Sequence, residues 1–582
     1  MDYADFMMKY LQKSLCLVGN YIEVMKQLLL FTLFLTSLLS AQVETILLKN
    51  DIYVFLKEMK VKGVIDSFGE EDPVLSKGKI GTLLDSINRN SSRLSEIELT
   101  RLRRFIGEFG YDHKNAAKNT EMFGGSQPLI DNVMDVFTDK QKHLYVYYHD
   151  SSKTTAYFEA VGNLNYGQLN SPFYNNAAIY DIGFRLRGTI AGSIGYQLEV
   201  QKGLATGNKP VALTLDPRLG FNFKFIEDIE NVPNYDYTRG YVRYASSPIV
   251  DMELSIQIGR DDLRLGYGYG DRLTLGNNLP IMDFIKFDFT YGLVRFTSNH
   301  ISTVGNFFTN RELSYNKYIA NNRITFSLPD LFDIGIGESI IYSGRDLELA
   351  YLTPLQFYKF AEMSLQDRDN GQLWLDFQSD FLDNFEIQAT FFLDENILSN
   401  FGELDKFSNK TAYQIGTYWY QPFGFENFWL KSEFTRIRPY VYSHDNPKNN
   451  FSSWGVPVGH RIGPNAQEFF IELGYHITDR IRAFGEFRFT EKGLNRFDTQ
   501  GNLLQNVGSD VFIPYRYLVD PEKLDFLSGD YSKQVLTVFS LRYEPVHEHV
   551  FFVHFTNAFY QVPAQLISTT TSYWNFVYQM EY

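Results

Sequence analysis

The apolar positions of the chain follow two different periods. Between about residues 51 and 110 they recur at the three-to-four-residue spacing of amphipathic helices. Three helices are predicted, with apolar positions at Ile52, Phe55, Leu56 and Met59, then Ile80, Leu83, Leu84 and Ile87, then Leu99, Leu102, Phe105, Ile106 and Phe109. Ser95 and Glu98 form a capping box at the start of the third helix. This pattern predicts a small helical bundle over residues 42–110.

From about residue 144 the apolar period changes to two and continues to the last residue. In residues 192–202, for example, Ile194, Tyr196, Leu198 and Val200 alternate with polar side chains. A soluble sandwich would also alternate, but it would need further layers to cover its apolar faces. Inside a bilayer every backbone polar group must be paired, and a closed barrel achieves this with apolar side chains outward. The sequence therefore predicts an all-β transmembrane barrel of sixteen to eighteen antiparallel strands over residues 144–582, joined to the bundle by a connector at 111–143.

The final residues repeat the alternation with aromatic side chains. Trp574, Phe576, Tyr578, Met580 and Tyr582 share one parity, and mostly polar residues occupy the other. This segment resembles the C-terminal recognition strand of outer-membrane barrels. Phe576, Tyr578 and Tyr582 are accordingly predicted to form the insertion signal that the barrel-assembly machinery binds.

A targeting segment precedes the helices. Met25 and a lysine are followed by the apolar run Leu28–Leu39 and by small residues, which is typical of a secretory signal peptide at 25–41. We interpret residues 1–24 as the product of a mis-annotated upstream start. Together with the barrel, this signal predicts the outer membrane of a Gram-negative cell, with outer-membrane lipid around the strands.

Composition narrows the range of functions. The net charge of -15 repels nucleic-acid phosphates, so nucleic acid is not an expected partner. The single cysteine, Cys16, allows neither a disulfide framework nor a cysteine-based metal site. An aromatic content of 16% with a mean hydropathy of -0.24 favours a β-barrel over a bundle of membrane-spanning helices.

Catalytic and metal-binding motifs are missing from the sequence. His547 and His549 lack the spacing that would aim both rings at one metal ion. The run of alternating glycines at 266–270 lacks the strand-turn-helix context of a nucleotide site and predicts a tight turn or bulge. No local pattern marks the serine, histidine and asparagine that an outer-membrane phospholipase would carry on its lipid face. A non-enzymatic protein without metal or cofactor is expected.

The densest polar stretch covers residues 433–465. Extending the parity of the preceding strand would aim Arg436 and Arg438 at lipid, at a cost of about 2–4 kcal/mol each near mid-depth. Because Pro439 cannot donate to a ladder, the chain is predicted to bend there into the barrel mouth or lumen. The candidate site consists of Arg436, Arg438, Tyr440, Tyr442, His444, His460 and Asn465.

Two interpretations of these seven residues stay open. Their donor, acceptor and stacking groups suit sugar hydroxyls and acidic sugars. Alternatively, they form an internal network with Glu433 and Asp445 that plugs the lumen.

The same stretch carries a family resemblance. It is similar to the outer-membrane capsule-assembly (Wzi) family in its Bacteroidetes-type sequences, through Thr435-Arg436-x-Arg438-Pro439-Tyr440-x-Tyr442-x-His444 and Pro457-x-Gly459-His460-x-x-Gly463-Pro464-Asn465. Agreement extends to Asp51-Ile52-Tyr53-x-Phe55-Leu56 with Lys62-Gly63-Val64-Ile65, to Gly259-Arg260-Asp261 with Gly266-x-Gly268, and to Tyr351-Leu352-Thr353-Pro354-Leu355-x-Phe357. Leu265 departs from the family pattern, which has an aromatic residue there. The resemblance implies an eighteen-stranded barrel with a helical bundle near its periplasmic end, and a lectin-like function that retains capsular or surface polysaccharide.

Two further functions compete with polysaccharide binding. One is a porin-like channel, which would need an open lumen. The other is a structural role in an envelope secretion or motility complex, in which residues 42–110 would bind a periplasmic protein.

Overall fold

A computed structural model gives the fold. It describes residues 42–114, 137–139, 143–149, 151–227, 233–277, 279–305, 315–366, 368–394, 403 and 405–582. The predicted signal peptide, the predicted upstream extension and most of the connector lie outside these residues.

Eighteen antiparallel strands close into one barrel. Each strand pairs with the next along the chain, and β18 pairs with β1. The strands are β1 Thr154–Ser171, β2 Asn175–Ile190, β3 Ile194–Gly207, β4 Asn234–Ser246, β5 Met252–Asp261, β6 Met282–Tyr291, β7 Val294–Val304, β8 Asn316–Leu328, β9 Phe332–Ser343, β10 Asn370–Ser379, β11 Phe385–Asp394, β12 Thr411–Tyr420, β13 Phe428–Ile437, β14 Ala466–His476, β15 Ile481–Leu494, β16 Asp530–Val546, β17 His549–Val562 and β18 Ile567–Glu581. A short strand, Tyr145–His149, pairs with the start of β1. The predicted barrel is confirmed.

The alternation along the strands separates two faces. On β3, Gln197, Glu199 and Gln201 are buried, whereas Leu198 between them is 43% exposed. Directly paired residues share a face, so the parity of one strand determines that of its neighbours. Polar side chains thus point into the lumen and apolar side chains point outward, toward lipid.

The two ends of the barrel differ in the length of their connections. At one end the turns are short, as at 191–193 between β2 and β3 and at 292–293 between β6 and β7. At the other end the connections include 262–281, 344–369, 438–465 and 495–529. We refer to them as the short-turn end and the long-loop end.

Three helices lie at the short-turn end, as the helical period predicted. They are α1 Ile52–Val61, α2 Lys77–Arg89 and α3 Glu96–Lys114. The capping box is formed, since Ser95 N donates to Glu98 Oε2 at 2.6 Å and Glu98 N donates to Ser95 Oγ at 3.3 Å. Among the described helices, none combines the length and apolar character of a membrane span.

The apolar faces of these helices pack against one another and against the inner barrel wall. Their cluster includes Tyr418 and Tyr420 of β12 and Trp429 of β13. We call residues 42–109 the helical plug. Ion pairs fix the plug to distant parts of the wall: Lys57 pairs with Glu386 of β11 at 2.5 Å, Asp51 with Arg482 of β15 at 2.9 Å, and Glu71 with Arg295 of β7 at 2.9 Å.

A second apolar core fills the lumen toward the long-loop end. The loops 262–281 and 438–465 fold inward and pack with inward-facing apolar residues of the strands. Members of this core include Leu265, Leu273, Val441, Tyr442 and Val458 from the loops. Leu265, the departure from the family pattern, is therefore a core residue. Side chains thus occupy the lumen near both ends.

Candidate functional site

The motif residues lie where the 438–465 loop turns back on itself. Tyr440, Tyr442 and Asn465 have φ values of 63°, 71° and 54°. This left-handed region is uncommon for residues other than glycine and costs roughly 1–2 kcal/mol per residue. Surrounding hydrogen bonds hold it in place: Tyr440 N, for example, donates to Gly508 O at 2.8 Å. The motif specifies a sharply folded loop.

Tyr442 and His460 are brought together inside the barrel. Both are fully buried. The Tyr442 hydroxyl donates to Leu273 O at 2.8 Å and accepts from His460 N at 3.2 Å. Burial lowers the pKa of His460, so its ring is neutral at physiological pH.

Arg438 and Asn465 meet at the two ends of the same loop. Asn465 N donates to Arg438 O at 3.2 Å, and Arg438 Nε donates to Asn409 O at 3.1 Å. The Asn465 side chain donates to Gly493 O at 2.9 Å and accepts from Leu527 N at 2.9 Å. Because both the nitrogen and the oxygen of its amide have partners, the Asn465 side chain connects its own loop with β15 and with the 495–529 loop.

Tyr440 and His444 lie apart from these pairs. Tyr440 packs edge-on against Tyr515, with ring centroids 5.7 Å apart, in a separate apolar cluster. His444 is half-buried, and its Nδ1 accepts from Asn446 N at 3.1 Å.

The predicted position of Arg436 is wrong. β13 stays in register with both neighbours through Ile437, so Arg436 keeps the outward parity. Its guanidinium lies 3.8 Å from the ring centroid of Phe526, over the ring face. This cation–π contact near the long-loop end makes an outward arginine tolerable without a bulge. The ladder ends before Pro439, as expected, but the seven side chains do not converge on one cavity.

Glu433 and Asp445 do not join the motif residues in one internal network, because Glu433 binds the 266–270 turn and Asp445 is exposed. Glu433 accepts from Tyr269 N at 2.6 Å and Gly270 N at 3.1 Å, and Asp445 accepts from the Tyr517 hydroxyl at 3.0 Å. The glycine run at 266–270 thus forms a turn inside the lumen. Gly268 has a φ of 155°, and a Cβ there would approach Asp271 O to 1.9 Å, which requires glycine.

A cavity opens beside the motif at the long-loop end. Its volume is about 450 Å³, in the range of small-ligand sites. We call it the mouth pocket, and it is lined by Pro457, Arg461, Ile462, Gly463, Pro464, Lys492, Leu494, Asn495, Phe497, Ser509, Asp510, Val511, Phe512 and Gln565. The second half of the motif therefore forms one wall of the pocket.

The lining of the mouth pocket combines charge, amide and aromatic groups. Lys492 Nζ donates to Ile462 O at 2.8 Å, and Arg461 pairs with Glu468. Asn495 is buried, and its Nδ2 has no hydrogen-bond partner among the described residues. Phe497 is 49% exposed. Two cations, a buried amide and an exposed ring, together with the carboxyl of Asp510, suit an oxygen-rich ligand.

Sequence reasoning missed most of the pocket residues. Arg461 lies inside the motif, directly after His460, so its position in the sequence could have identified it as a candidate. Lys492, Asn495 and Phe497 come from β15 and the loop that follows it, and no local pattern connects them with residues 457–464. Only the barrel register, which pairs Lys492 with Ala466, brings them together.

Within the described part of the chain, one group of side chains could hold a metal ion. Ligand atoms of Glu108, His547 and Glu548 lie within 4.8 Å of one another. The His547 Nδ1 atom is 3.2 Å from Glu544 Oε1. His549 contacts Tyr578 instead, with 2.8 Å between its Nδ1 and the hydroxyl. The third ligand group, Glu108, comes from the helical plug. Its proximity to His547 could not be predicted from spacing in the sequence.

The outward face does bring a serine, a histidine and an asparagine close together. Ser298 pairs directly with Asn322, and His300 lies two residues further along β7. The hydrogen bonds of His300 and Asn322, however, go to the hydroxyls of Tyr342 at 2.8 Å and Tyr358 at 3.0 Å. The described geometry does not link these three residues as nucleophile, base and orienting group.

The residues of the predicted insertion signal lie on β18 and just beyond it. Phe576 pairs with Tyr166 and is 44% exposed on the outward face, and Tyr578 pairs with Leu164. Tyr582 N donates to Ala160 O at 2.8 Å, which extends the closing ladder. Recognition of these residues by assembly machinery stays a prediction.

Comparisons with known proteins agree with this architecture. The family model described as capsule assembly protein Wzi matches residues 174–516. A search of curated proteins finds no match. The structure is similar to that of Wzi from Escherichia coli, described as an outer membrane protein involved in group 1 capsule assembly and a carbohydrate-binding β-barrel. That alignment has a TM-score of 0.53 and 11% identity, and it covers 92% of this chain and 99% of the other.

More distant similarity extends to barrels from Pseudomonas aeruginosa. OccK8 (OprE) aligns with a TM-score of 0.42 and 8% identity over 73% of this chain and 98% of that chain. OccK5 (OpdH) aligns with a TM-score of 0.40 and 10% identity over the same two shares.

Proposed function

The chain belongs to the Wzi family of capsule assembly proteins, and we propose that it binds capsular or surface polysaccharide, without catalysis, at the long-loop end of an outer-membrane barrel. The mouth pocket is the observation that carries this proposal. Its size fits one or two sugar rings, and its cations, amide and phenylalanines supply the contacts that acidic sugars use. The similar E. coli protein is described as carbohydrate-binding, which supports the same ligand class.

The orientation follows from the lengths of the connections. Outer-membrane barrels have short periplasmic turns and longer extracellular loops. On this basis the short-turn end and the helical plug face the periplasm, and the mouth pocket faces the cell exterior. The bundle at 42–110 and the barrel at 144–582 are then the two functional parts of the mature chain.

A porin-like channel is less well supported than binding. The helical plug occupies the short-turn half of the lumen, and the loops 262–281 and 438–465 pack an apolar core into the other half. An ion or solute that crosses the barrel would have to displace part of both the plug and the loop core. We expect purified protein in liposomes to show neither solute-dependent swelling nor stable conductance. Porin-sized conductance of the intact protein would favour the channel.

A role for the helical bundle as a docking site for a periplasmic protein is the remaining alternative. The apolar faces of α1–α3 already pack inside the plug and against Tyr418, Tyr420 and Trp429. A partner would therefore have to use the polar outer surface of the helices. A periplasmic protein that co-purifies in stoichiometric amount, and is lost on substitution of exposed plug residues, would support this role.

The decisive experiment measures polysaccharide binding to mouth-pocket variants. Lys492→Ala and Phe497→Ala remove a cation and an exposed ring, and charge-assisted contacts contribute about 1.5–3 kcal/mol each. We expect the double variant to weaken binding of purified capsular polysaccharide by about tenfold or more. Arg496→Ala is the matched control, because Arg496 lies between pocket residues in sequence but pairs with Asp530 at 2.8 Å, outside the lining.

Folding of each variant is checked by its heat-modifiable shift on gels. Unchanged polysaccharide binding by a correctly folded Lys492→Ala, Phe497→Ala variant would overturn the proposed binding site. If the double variant and Arg496→Ala lose polysaccharide affinity equally, the loss reflects the overall charge of the loops and not contacts in the mouth pocket.

A further inference from the structure

Part of the outward barrel surface carries polar side chains where lipid-facing residues are expected. Ser298 of β7 pairs with Asn322 of β8, and Asn322 pairs with Glu338 of β9, so the three share one face. The next residue, Arg323, points into the lumen and pairs there with Glu71 of the plug. Ser298, Asn322 and Glu338 therefore lie on the outer wall, yet all three are buried.

The cover over this polar patch is the 344–366 segment, which we call the outer flap. It contains two short helices, Leu349–Leu352 and Tyr358–Ser364. Tyr358 N donates to Glu338 Oε1 at 2.9 Å, and the Tyr358 hydroxyl donates to Asn322 Oδ1 at 3.0 Å. The Asn322 amide in turn donates to Gln356 O at 2.8 Å. Instead of extending into solvent, the flap folds back along the outside of the barrel.

Apolar packing reinforces these hydrogen bonds. Tyr351 and Tyr358 of the flap form a buried cluster with Ala320, Ile340 and Tyr342 on the outer wall. Tyr351 also donates to Asp369 Oδ2 at 2.8 Å. Tyr351 begins the Tyr351–Phe357 stretch that resembles the family pattern, and its side chain fixes the flap to the barrel.

The other side of the flap is strongly apolar. Large apolar side chains are exposed along it: Leu349 (74%), Leu355 (83%), Phe357 (72%), Phe360 (75%) and Met363 (60%). On the barrel wall, Leu373 pairs directly with Glu338 and is 45% exposed, and Ile336 on the same face is 55% exposed. The exposed surface of the flap therefore continues the lipid-facing band of β9 and β10.

We propose that the outer flap is embedded in the outer leaflet, with lipid acyl chains as the occupant of its apolar side. Polar groups on an outer barrel wall cannot be left facing hydrocarbon without partners. The flap supplies those partners through its backbone and tyrosines, and it replaces the missing lipid-facing surface with its own apolar residues. Continuity with the barrel band identifies lipid, and not a second protein, as the occupant.

Site-specific lipid quenching tests this placement. Cys16, the one cysteine in the sequence, is replaced by serine, and Phe360→Cys is labelled with an environment-sensitive fluorophore. Ile336→Cys is the lipid-facing control, and Leu518→Cys, at a fully exposed loop position, is the aqueous control. The full chain is reconstituted in vesicles that contain lipids with nitroxide groups on their acyl chains. We expect quenching at position 360 to match position 336 within about twofold and to exceed position 518 severalfold.

Two results would overturn the proposal. Quenching of position 360 by aqueous iodide, equal to that at position 518, would place the flap in water. A buried but lipid-inaccessible fluorophore would show that protein covers the flap. If Phe360→Cys fails to give a heat-modifiable barrel, Met363→Cys, on the same exposed side, provides the equivalent measurement.

Discussion

Tyr442 donates its hydroxyl hydrogen to Leu273 O at 2.8 Å, and this bond joins the two loops that fold into the lumen. The same oxygen accepts from His460 N, so one side chain links three points of the interior. Polar atoms buried this deeply lose water on folding and depend on one another. The residue that the sequence suggested as a ligand contact therefore stabilises the loop core.

Tyr442→Phe tests that role. Removing the hydroxyl leaves a buried carbonyl and a buried amide without partners, which costs about 1–3 kcal/mol. We expect a lower midpoint in the heat-modifiability transition. Tyr517→Phe, which removes a hydroxyl from a side chain that is 63% exposed, is the control and should leave the midpoint unchanged. Equal midpoints for both variants would contradict the structural role.

A double variant of the two motif arginines tests whether they contact the glycan directly. Arg436 stacks on Phe526 outside the barrel, and Arg438 is bonded to Asn409 O. We expect Arg436→Ala with Arg438→Ala to change polysaccharide affinity by less than about threefold while lowering thermal stability. The measurement is binding and heat modifiability on the same preparation. A tenfold loss of affinity in a normally folded variant would show that these arginines contact the glycan.

Glu58 anchors the plug to the wall in a buried triad. It lies 2.5 Å from Arg101 Nη1 and 2.7 Å from His476 Nε2, and all three side chains are almost fully buried. Removing one member of a buried pair costs about 3–5 kcal/mol, because the other charge is left uncompensated. Glu58→Ala should lower the opening free energy of α1 in hydrogen exchange by that amount. Glu96→Ala, at an exposed position of α3, should not.

Lowering the pH should destabilise the docked plug over a defined pH range. Burial alone would raise the pKa of Glu58 and of Glu71, but Arg101 with His476 and Arg295 with Arg323 hold each pKa at about 2. Because these values lie below the unfolded value of about 4.3, their stabilising contribution is complete above that pH and is lost as the pH falls toward 2. Protection of α1 amides should therefore fall between pH 5 and pH 3. Constant hydrogen-exchange protection of α1 down to pH 3 would show that the ion pairs of Glu58 and Glu71 do not hold the plug in place.

The end of β18 offers a test of insertion. Tyr582 extends the closing ladder through its backbone bond to Ala160 and contributes an aromatic side chain. Deleting Tyr582, or replacing Tyr578 and Tyr582 by alanine, should reduce the amount of protein in outer-membrane fractions several-fold. Tyr582→Phe keeps the aromatic ring and should insert normally. Wild-type levels of the alanine variant would argue against the insertion signal.

The period-two and helical patterns predicted the fold because each depends on local spacing. Ile194 to Val200 alternate as expected along β3, and Ile52, Phe55 and Met59 all enter the plug core. Side-chain placement in the motif was less predictable. Arg436 was expected to turn inward, on the assumption that an outward arginine meets only lipid. The ring of Phe526, ninety residues later in the sequence, removes that penalty.

The mouth pocket could not be predicted for a related reason. Its walls come from the 438–465 loop, β15 and the 495–529 loop, and no shared motif connects them. The outer flap poses the same difficulty. The spacing of Tyr351 and Tyr358 does not indicate which way they point, and only the contacts of the flap with Asn322 and Glu338 show that it folds back on the barrel.

The plug's anchors impose an order on biogenesis. Its bonds join Lys57 to Glu386, Glu58 to His476 and Asp51 to Arg482, across separations of 329, 418 and 431 residues. Contacts this remote in sequence form late, after the intervening chain has been organised. The segment that leaves the ribosome early is thus among the last to complete its native contacts, because each of these anchors waits for a strand from the second half of the chain. Until then Lys57 and Asp51 lack these barrel partners, whereas Glu58 already has Arg101 of the plug.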